Sequence, residues 1–181
     1  MVSMAIFALV LASLSGLIRH TVRFYTIQVR ATEVQQQALQ ATRWLSQELQ
    51  EGSYQSIDNR TAPSSAVIFG SPRDEDDHLN FSGNVMLWQK LVCYYVDKVE
   101  GKPVLKRGVL QFESPAHAPP PIPTSMTSAT FQGTDAPQRL MARDIDSVQV
   151  TVADSAEIVI QASVEDGAFV LKLKTRVEMG N

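Results

Sequence analysis

Residues 2–18 read VSMAIFALVLASLSGLI, and this stretch decides how the rest of the chain is interpreted. It contains no charged residue and no proline, asparagine, glutamine or histidine. As an α-helix it would be about 26 Å long, close to the ~30 Å hydrocarbon core of a bilayer. A cleaved signal peptide would need a basic segment before the apolar run, and none is present here. We therefore predict a membrane-spanning helix at the N-terminus.

The helical pattern continues beyond this stretch as far as Glu51. Neither proline nor glycine occurs from Leu17 to Glu51. Apolar residues recur there every three or four positions, which is the spacing of one face of an amphipathic helix. These residues are Phe24, Ile27, Ala31, Val34, Ala38, Ala41, Leu45 and Leu49. We expect one helix of about 75 Å that ends near Gly52, so that residues 1–52 form the first unit of the chain.

Residues 53–181 have the pattern of an antiparallel sheet. The segment Lys90–Asp97 (KLVCYYVD) is apolar on both faces, as in a central strand, and a turn at 98–103 leads to a second arm at 104–113. Further strands are predicted at 64–69, 79–81, 145–152, 157–164 and 169–177, with a tight turn at 165–167. Strands that cluster after one long helix indicate an α+β fold, in which the helix packs on a β-rich head.

Residues 114–138 interrupt this pattern. They contain six prolines and a stretch rich in serine and threonine, which excludes both a helix and a central strand. We predict a long exposed loop with polyproline-like segments, either functional or disordered.

Composition and motifs argue against an enzyme or a nucleic-acid-binding protein. The chain has 16 Lys and Arg against 19 Asp and Glu, without the basic excess of a nucleic-acid binder. The single Cys93 excludes an internal disulfide and any CxxC motif. The three histidines lack metal-ligand spacing, and no nucleophile, phosphate-binding or dinucleotide-binding motif occurs. We therefore expect no catalytic residue and no cofactor.

One acidic run could hold a metal ion. Asp74, Asp76 and Asp77, together with the intervening glutamate, offer the carboxylate oxygens that Ca²⁺ prefers. The run lacks the alternating ligands and the glycine of an EF-hand loop, and a solvated turn explains it as well. We predict no metal site and keep these three aspartates as the candidate Ca²⁺ ligands.

Taken together, these features resemble the type IV pilin and pseudopilin family. Residues 1–11 (MVSMAIFALVL) are similar to the start of the pilin apolar helix just after its processing site. Within the family, the minor pseudopilin J and PilW-like group has a Tyr-Tyr-hydrophobic-Asp strand before a glycine turn and a Leu-x-Arg strand. Three later segments resemble that group, namely Tyr94–Asp97 with Leu105–Arg107, Leu140–Ile145 before a valine-rich strand, and Arg176–Asn181.

The resemblance implies a subunit that assembles rather than catalyses. It would be a minor subunit of a type II secretion pseudopilus or a type IV pilus, in a tip complex that primes the filament. Its partners would be other pilin-like subunits, inner-membrane assembly proteins and membrane lipid, with the head in the periplasm or outside the cell. Close helix approach would use a face that is rich in small residues. This face comprises Ala5, Ala8, Leu11, Ala12, Ser15 and Gly16.

The sequence also departs from the family. Members carry a short basic leader, a Gly-Phe-Thr-Leu-type processing site and a glutamate a few residues later, and none of these occurs here. We therefore expect the natural protein to begin several residues upstream, which would also offset the orienting effect of Arg19 and Arg23. The alternative is a membrane-anchored envelope domain whose β-rich head binds or scaffolds without polymerising. The sequence leaves open whether secretion, a pilus or DNA uptake is served.

Overall fold

The fold is α+β, with one long N-terminal helix packed on antiparallel sheets. The computed structural model describes residues 2–58, 66–74, 76–133, 137–152, 155–164 and 169–179, without the side chains of residues 2, 3, 5, 8 and 9. The helix is α1 (Val2–Gln50). The strands in this part of the chain are β1 (Ala66–Ser71), β2 (Phe81–Ser82), β3 (Val85–Met86), β4 (Trp88–Val99), β5 (Lys102–Ala116), β6 (Gln138–Arg143), β7 (Ile145–Val152), β8 (Ala156–Val164) and β9 (Phe169–Val177).

The strands form two main antiparallel sheets and a small hairpin. The larger sheet has the order β1-β4-β5-β6, the smaller one has the order β7-β8-β9, and β2 pairs with β3. The prediction that β4 is central with two buried faces is confirmed. Val92 and Tyr94 pack in the main core with α1, whereas Cys93 and Tyr95 pack in a second core on the opposite face.

The helix is continuous, as the sequence predicts, and its second half forms one wall of the main core. Val34, Ala38, Ala41, Leu45 and Leu49 are each 3% exposed or less. Ala38 and Ala41 are small enough for the helix backbone to approach the sheet closely. This second half of α1 lies mainly against β8 and β9. The predicted apolar stripe is therefore confirmed from Val34 onward, but Phe24 is 63% exposed.

Two connections in the head differ from the sequence-based expectation. The predicted turn at 98–103 contracts to Glu100-Gly101, because φ angles of 53° and 80° form the tight turn that suits a two-residue hairpin. Residues 79–81 do not form a single strand but lead into the β2–β3 hairpin, which turns at Gly83 with φ 62°. The predicted turn at 165–167 lies outside the described residues.

The expectation of an exposed loop at 114–138 is wrong at both ends. Strand β5 continues to Ala116, which lies opposite Trp88. Pro115 is tolerated because β6 pairs with β5 only from Val104 to Gly108, so that the later part of β5 is an edge. At the other end, Gln138 already belongs to β6. Only one residue of β6 is buried, so the sequence lacks the apolar alternation by which this strand could have been predicted.

The part of this segment from residue 117 to residue 133 lies across the outer face of the larger sheet. Phe131 is completely buried there, and Ile122 and Met126 are partly buried against the same cluster. Gly108 makes this approach feasible, because a Cβ atom at that position would lie 2.8 Å from the Cβ of Phe131. The segment is therefore a packed cover for the second core.

Candidate functional site

The first half of α1 projects away from the head. Every described side chain from Met4 to Thr26 is exposed, over a length of about 35 Å. An exposed apolar surface of this extent is unusual on a soluble monomer, and surfaces of this kind in general mark sites of contact with a partner or with lipid. Its large apolar members, all at least 48% exposed, are Met4, Ile6, Phe7, Val10, Leu11, Leu14, Leu17, Ile18, Val22, Phe24, Tyr25 and Val29.

The predicted assembly face occupies one side of this projecting segment. Successive residues of an α-helix are about 100° apart, so the six positions of that face fall within an arc of about 140°. They are Ala5, Ala8, Leu11, Ala12, Ser15 and Gly16. Leu11 is 49% exposed, and a Cβ atom at Gly16 would meet no atom of the described residues within 4 Å. The side chains of Ala5 and Ala8 lie outside the described ones.

Large apolar residues lie on the opposite side of the same segment. Ile6, Val10 and Leu17 cluster about 180° from the centre of the assembly face, and each is at least 58% exposed. A neighbouring helix can therefore approach the backbone closely on one side, whereas the other side holds bulky side chains.

The polar residues that follow do not break the helix. Thr21 and Thr26 donate hydrogen bonds from their hydroxyls to the carbonyls of Leu17 and Val22, both at 2.9 Å. These bonds satisfy the threonine hydroxyls within the helix, so the helix continues although β-branched residues are frequent there.

In the described part of the chain, no helix is long and apolar enough to cross a membrane.

Ion pairs connect the other end of α1 to the larger sheet. Glu48 lies 2.8 Å from Arg107 of β5, and both side chains are at least four-fifths buried. Burial lowers the pKa of the Arg107 guanidinium, but the Glu48 carboxylate outweighs that effect and raises it overall. Glu51, just after α1, also pairs with Arg73 at 2.5 Å. The Glu48–Arg107 pair is the more buried of the two and therefore costly to break, so it is the main contact that fixes how the head sits on the helix.

A tyrosine hydroxyl is buried in the same region. Among the described residues, none meets the geometry of a hydrogen bond with the Tyr94 hydroxyl, and burial, followed by the charge of the nearby Glu48 carboxylate, raises the pKa of this group. The Tyr94 ring stacks on Phe69 at a centroid distance of 6.2 Å. This environment suits a packing role.

The acidic run forms a turn that uses its own carboxylate. The Asp74 carboxylate accepts hydrogen bonds from the backbone amides of Asp76 at 3.0 Å and His78 at 2.9 Å, and from the Asn80 side chain at 2.8 Å. The hydrogen bond from the His78 amide is the largest cause of the lowered pKa of Asp74. Asp77 has φ 66°, a left-handed conformation that closes the turn.

Lys90 ties this turn to the sheet. Its nearly buried ammonium donates a hydrogen bond to the Asp74 carbonyl at 2.7 Å and lies 3.9 Å from the Asp77 carboxylate. Residue 75 lies outside the described residues. Among those that are described, no group of three His, Cys, Asp or Glu side chains is arranged to hold a metal ion. The structure thus brings Asp74, Asp76 and Asp77 into one turn without gathering their carboxylates around a common point.

Cys93 is enclosed in the second core. It is 0% exposed, and burial raises the pKa of its thiol to about 12. A thiol with such a pKa is unreactive near neutral pH.

An open groove lies where α1 leaves the head. Its volume is about 740 Å³, and it runs between the helix, the β4–β5 turn and the corner between β6 and β7. Glu33 and Gln37 line it on the helix side, while Gly101 and Asp144 line it on the head side. Sequence reasoning could not find this groove because its walls come from three segments that are far apart in the chain.

The comparisons with known proteins do not assign a family to this chain. No family model matches the sequence, and no curated protein and no solved structure is significantly similar to it.

Proposed function

We propose that the chain is a minor pilin-like subunit, a pseudopilin, that assembles through the projecting half of α1. The observation that carries the proposal is the run of exposed apolar side chains from Met4 to Val29. Removing a large aliphatic or aromatic side chain from water contributes about 1.5–3 kcal/mol, so this segment strongly favours a lipid or helical environment. The filament would be a type II secretion pseudopilus or a type IV pilus, with this subunit in a tip complex.

The assembly face supports a specific mode of packing. In lipid, or in a bundle of apolar helices, association depends on close packing rather than on the hydrophobic effect. The small side of α1, with Ala12, Ser15 and Gly16, allows a neighbouring helix to pack closely. The bulky side remains free to contact lipid or helices at a larger distance. In this proposal the subunit resides in the bacterial inner membrane before assembly and then enters a bundle with other pilin-like subunits.

The ion pairs at the far end of α1 support the idea that the orientation of the helix determines the orientation of the head. The Glu48–Arg107 and Glu51–Arg73 pairs join the helix to two separate segments of the head. A head fixed in this way follows the orientation of its helix in a bundle. Its exposed surfaces, outside the cytoplasm in this proposal, then meet the same neighbours in every assembled copy.

The experiment replaces Gly16 by leucine and compares the variant with Gly16→Ala. Leucine keeps the segment apolar and helical, and the protomer has open space at this position. We expect Gly16→Leu to lose most co-purification with other pilin-like subunits from the native cells, while its membrane retention stays unchanged. Gly16→Ala should resemble the natural chain, because alanine still permits close approach.

The competing function predicts a different result. A membrane-anchored domain that never polymerises would tolerate Gly16→Leu in every assay. A charge at Leu11 would then reduce membrane retention alone, with no separate loss of a subunit partner. That combination of results would contradict the assembly proposal.

A further inference from the structure

Strand β9 forms an open edge of the smaller sheet. The sheet order is β7-β8-β9, and no strand in the described ranges pairs with the outer side of β9. Its nine residues, Phe169–Val177, pair with β8 along their whole length without a register shift. A regular strand of this length presents backbone donors and acceptors that match another extended chain.

The inner face of this edge is only partly covered. Ile160 and Ala162 of β8 are 0% exposed, whereas Leu173 and Leu171, which lie directly opposite them on β9, are only partly buried. Phe169 shows the same partial burial at the start of the strand. An additional strand beside β9 would extend the cover over these apolar side chains.

The outer face of β9 carries positive charge. Lys172, Lys174 and Arg176 alternate along the strand and therefore point to one face. Glu157 of β8 lies 2.8 Å from Lys174 and 3.9 Å from Arg176, so one carboxylate is shared by two cations. The face retains a net positive charge, and the side chains of Lys174 and Arg176 are 60% and 75% exposed.

We propose that β9 binds an extended segment of another protein in which acidic residues alternate with apolar ones. The apolar residues would continue the cover over Leu171 and Leu173, and the acidic residues would lie beside the cations of the outer face. A second copy of this chain is a poor occupant, because pairing β9 with β9 would bring the same cations together. Edge lysines oppose such self-pairing in general, which leaves the edge selective for an oppositely charged strand.

The test uses the full chain in detergent and a synthetic probe peptide with four alternating Asp-Val units. Two control peptides are used. The first, a block peptide, has the same composition with all aspartates before the valines, and in the second lysine replaces every aspartate. We expect saturable binding of the alternating acidic peptide alone, with increased hydrogen-exchange protection at residues 169–177. Two further peptides, N-methylated on alternate residues in opposite phase, should differ sharply, because only one phase removes donors that face β9.

The variant Lys172→Glu/Lys174→Glu tests the charge argument, and Lys98→Glu on the β4–β5 hairpin is the matched control. Both substitutions lie on exposed positions, so folding should be preserved. The double variant should bind the acidic peptide about tenfold more weakly and gain binding of the lysine peptide. Lys98→Glu should bind like the natural chain.

Three results would overturn the inference. The first is absence of binding by the alternating acidic peptide. The second is equal binding of the block peptide or of both N-methylated peptides, which would indicate charge attraction without strand pairing. The third is protection of β9 through self-association of the chain when no peptide is present.

Discussion

The two halves of α1 contain similar apolar side chains but meet opposite surroundings. Leu45 in the second half is 0% exposed, whereas Leu17 in the first half is 66% exposed. The second half places most of its apolar residues on one face and glutamine and arginine on the others, with Leu39 and Trp44 as exposed exceptions, so one sheet is enough to cover the apolar face. The first half is apolar on all sides as far as Ile18, so no single sheet could cover that stretch.

In the proposed function, this difference separates stability from assembly within a single helix. Side chains between Val34 and Leu49 hold the head together, and their removal leaves cavities. The exposed side chains between Met4 and Val29 contribute little within the protomer, and in the proposed function they act only when a partner or lipid covers them. The comparison therefore predicts opposite consequences for equivalent substitutions in the two halves.

The largest expected effect comes from truncating a buried leucine. Leu45→Ala should lower the free energy of unfolding of the head by about 3 kcal/mol, because it leaves a cavity in the main core. Leu17→Ala should change it by less than about 0.5 kcal/mol, since its side chain is exposed. Denaturant unfolding of the full chain in detergent, followed by near-ultraviolet circular dichroism, measures both. Equal effects would mean that the two halves are not separated in this way.

A second pair of variants compares two glycines. Gly108→Ala should destabilise the head by about 2 kcal/mol, because the new Cβ would lie 2.8 Å from the Cβ of Phe131. Gly16→Ala should leave the head unchanged or slightly stabilise the helix. Limited proteolysis gives a second measurement, since displacing Phe131 should expose the cover at 117–133 to cleavage. An unchanged cleavage pattern in Gly108→Ala would contradict the packed cover.

The smallest effect, taken per pH unit, is a pH dependence that belongs to the head. Burial raises the pKa of Cys93 from 9.0 to about 12. The unfolded chain therefore loses this proton first, and stability that is complete below pH 9 falls as the pH rises toward 12, by at most about 1.4 kcal/mol per pH unit. Cys93→Ala should show a shallower decline in that range, whereas Leu17→Ala should not alter the slope. Identical slopes for Cys93→Ala and the natural chain would contradict the inert, buried thiol.

The elements with strong periodicity were predictable from sequence. The stripe from Val34 to Leu49 and the two apolar faces of β4 appear in the sequence because their spacing follows directly from helix and strand geometry. The assembly face could be named for the same reason, although its role stays a prediction. The fold class followed from the order of these elements.

The remaining features depend on contacts between distant segments. Phe131 lies in a proline-rich segment, and only the absence of a side chain at Gly108 allows it to reach the sheet. Strand β6 has one buried residue, so tertiary pairing rather than local pattern defines it. The ion pair between Glu48 and Arg107 joins residues 59 positions apart, and no local signal connects them.

The most direct test of the small side of α1 as a helix-packing surface is disulfide formation in native membranes. Cys93 is buried, so an introduced cysteine would be the accessible thiol. Ala12→Cys places it on the small side, and Val10→Cys places it about 200° round the helix. A disulfide needs Cβ atoms about 3.5–4.5 Å apart, so it reports close helix approach. The second thiol is a cysteine introduced on the apolar helix of a co-expressed pilin-like subunit, and copper phenanthroline is added as the oxidant. We predict a disulfide-linked product between the two subunits for Ala12→Cys and little for Val10→Cys; no product for Ala12→Cys, or more for Val10→Cys, would contradict the account.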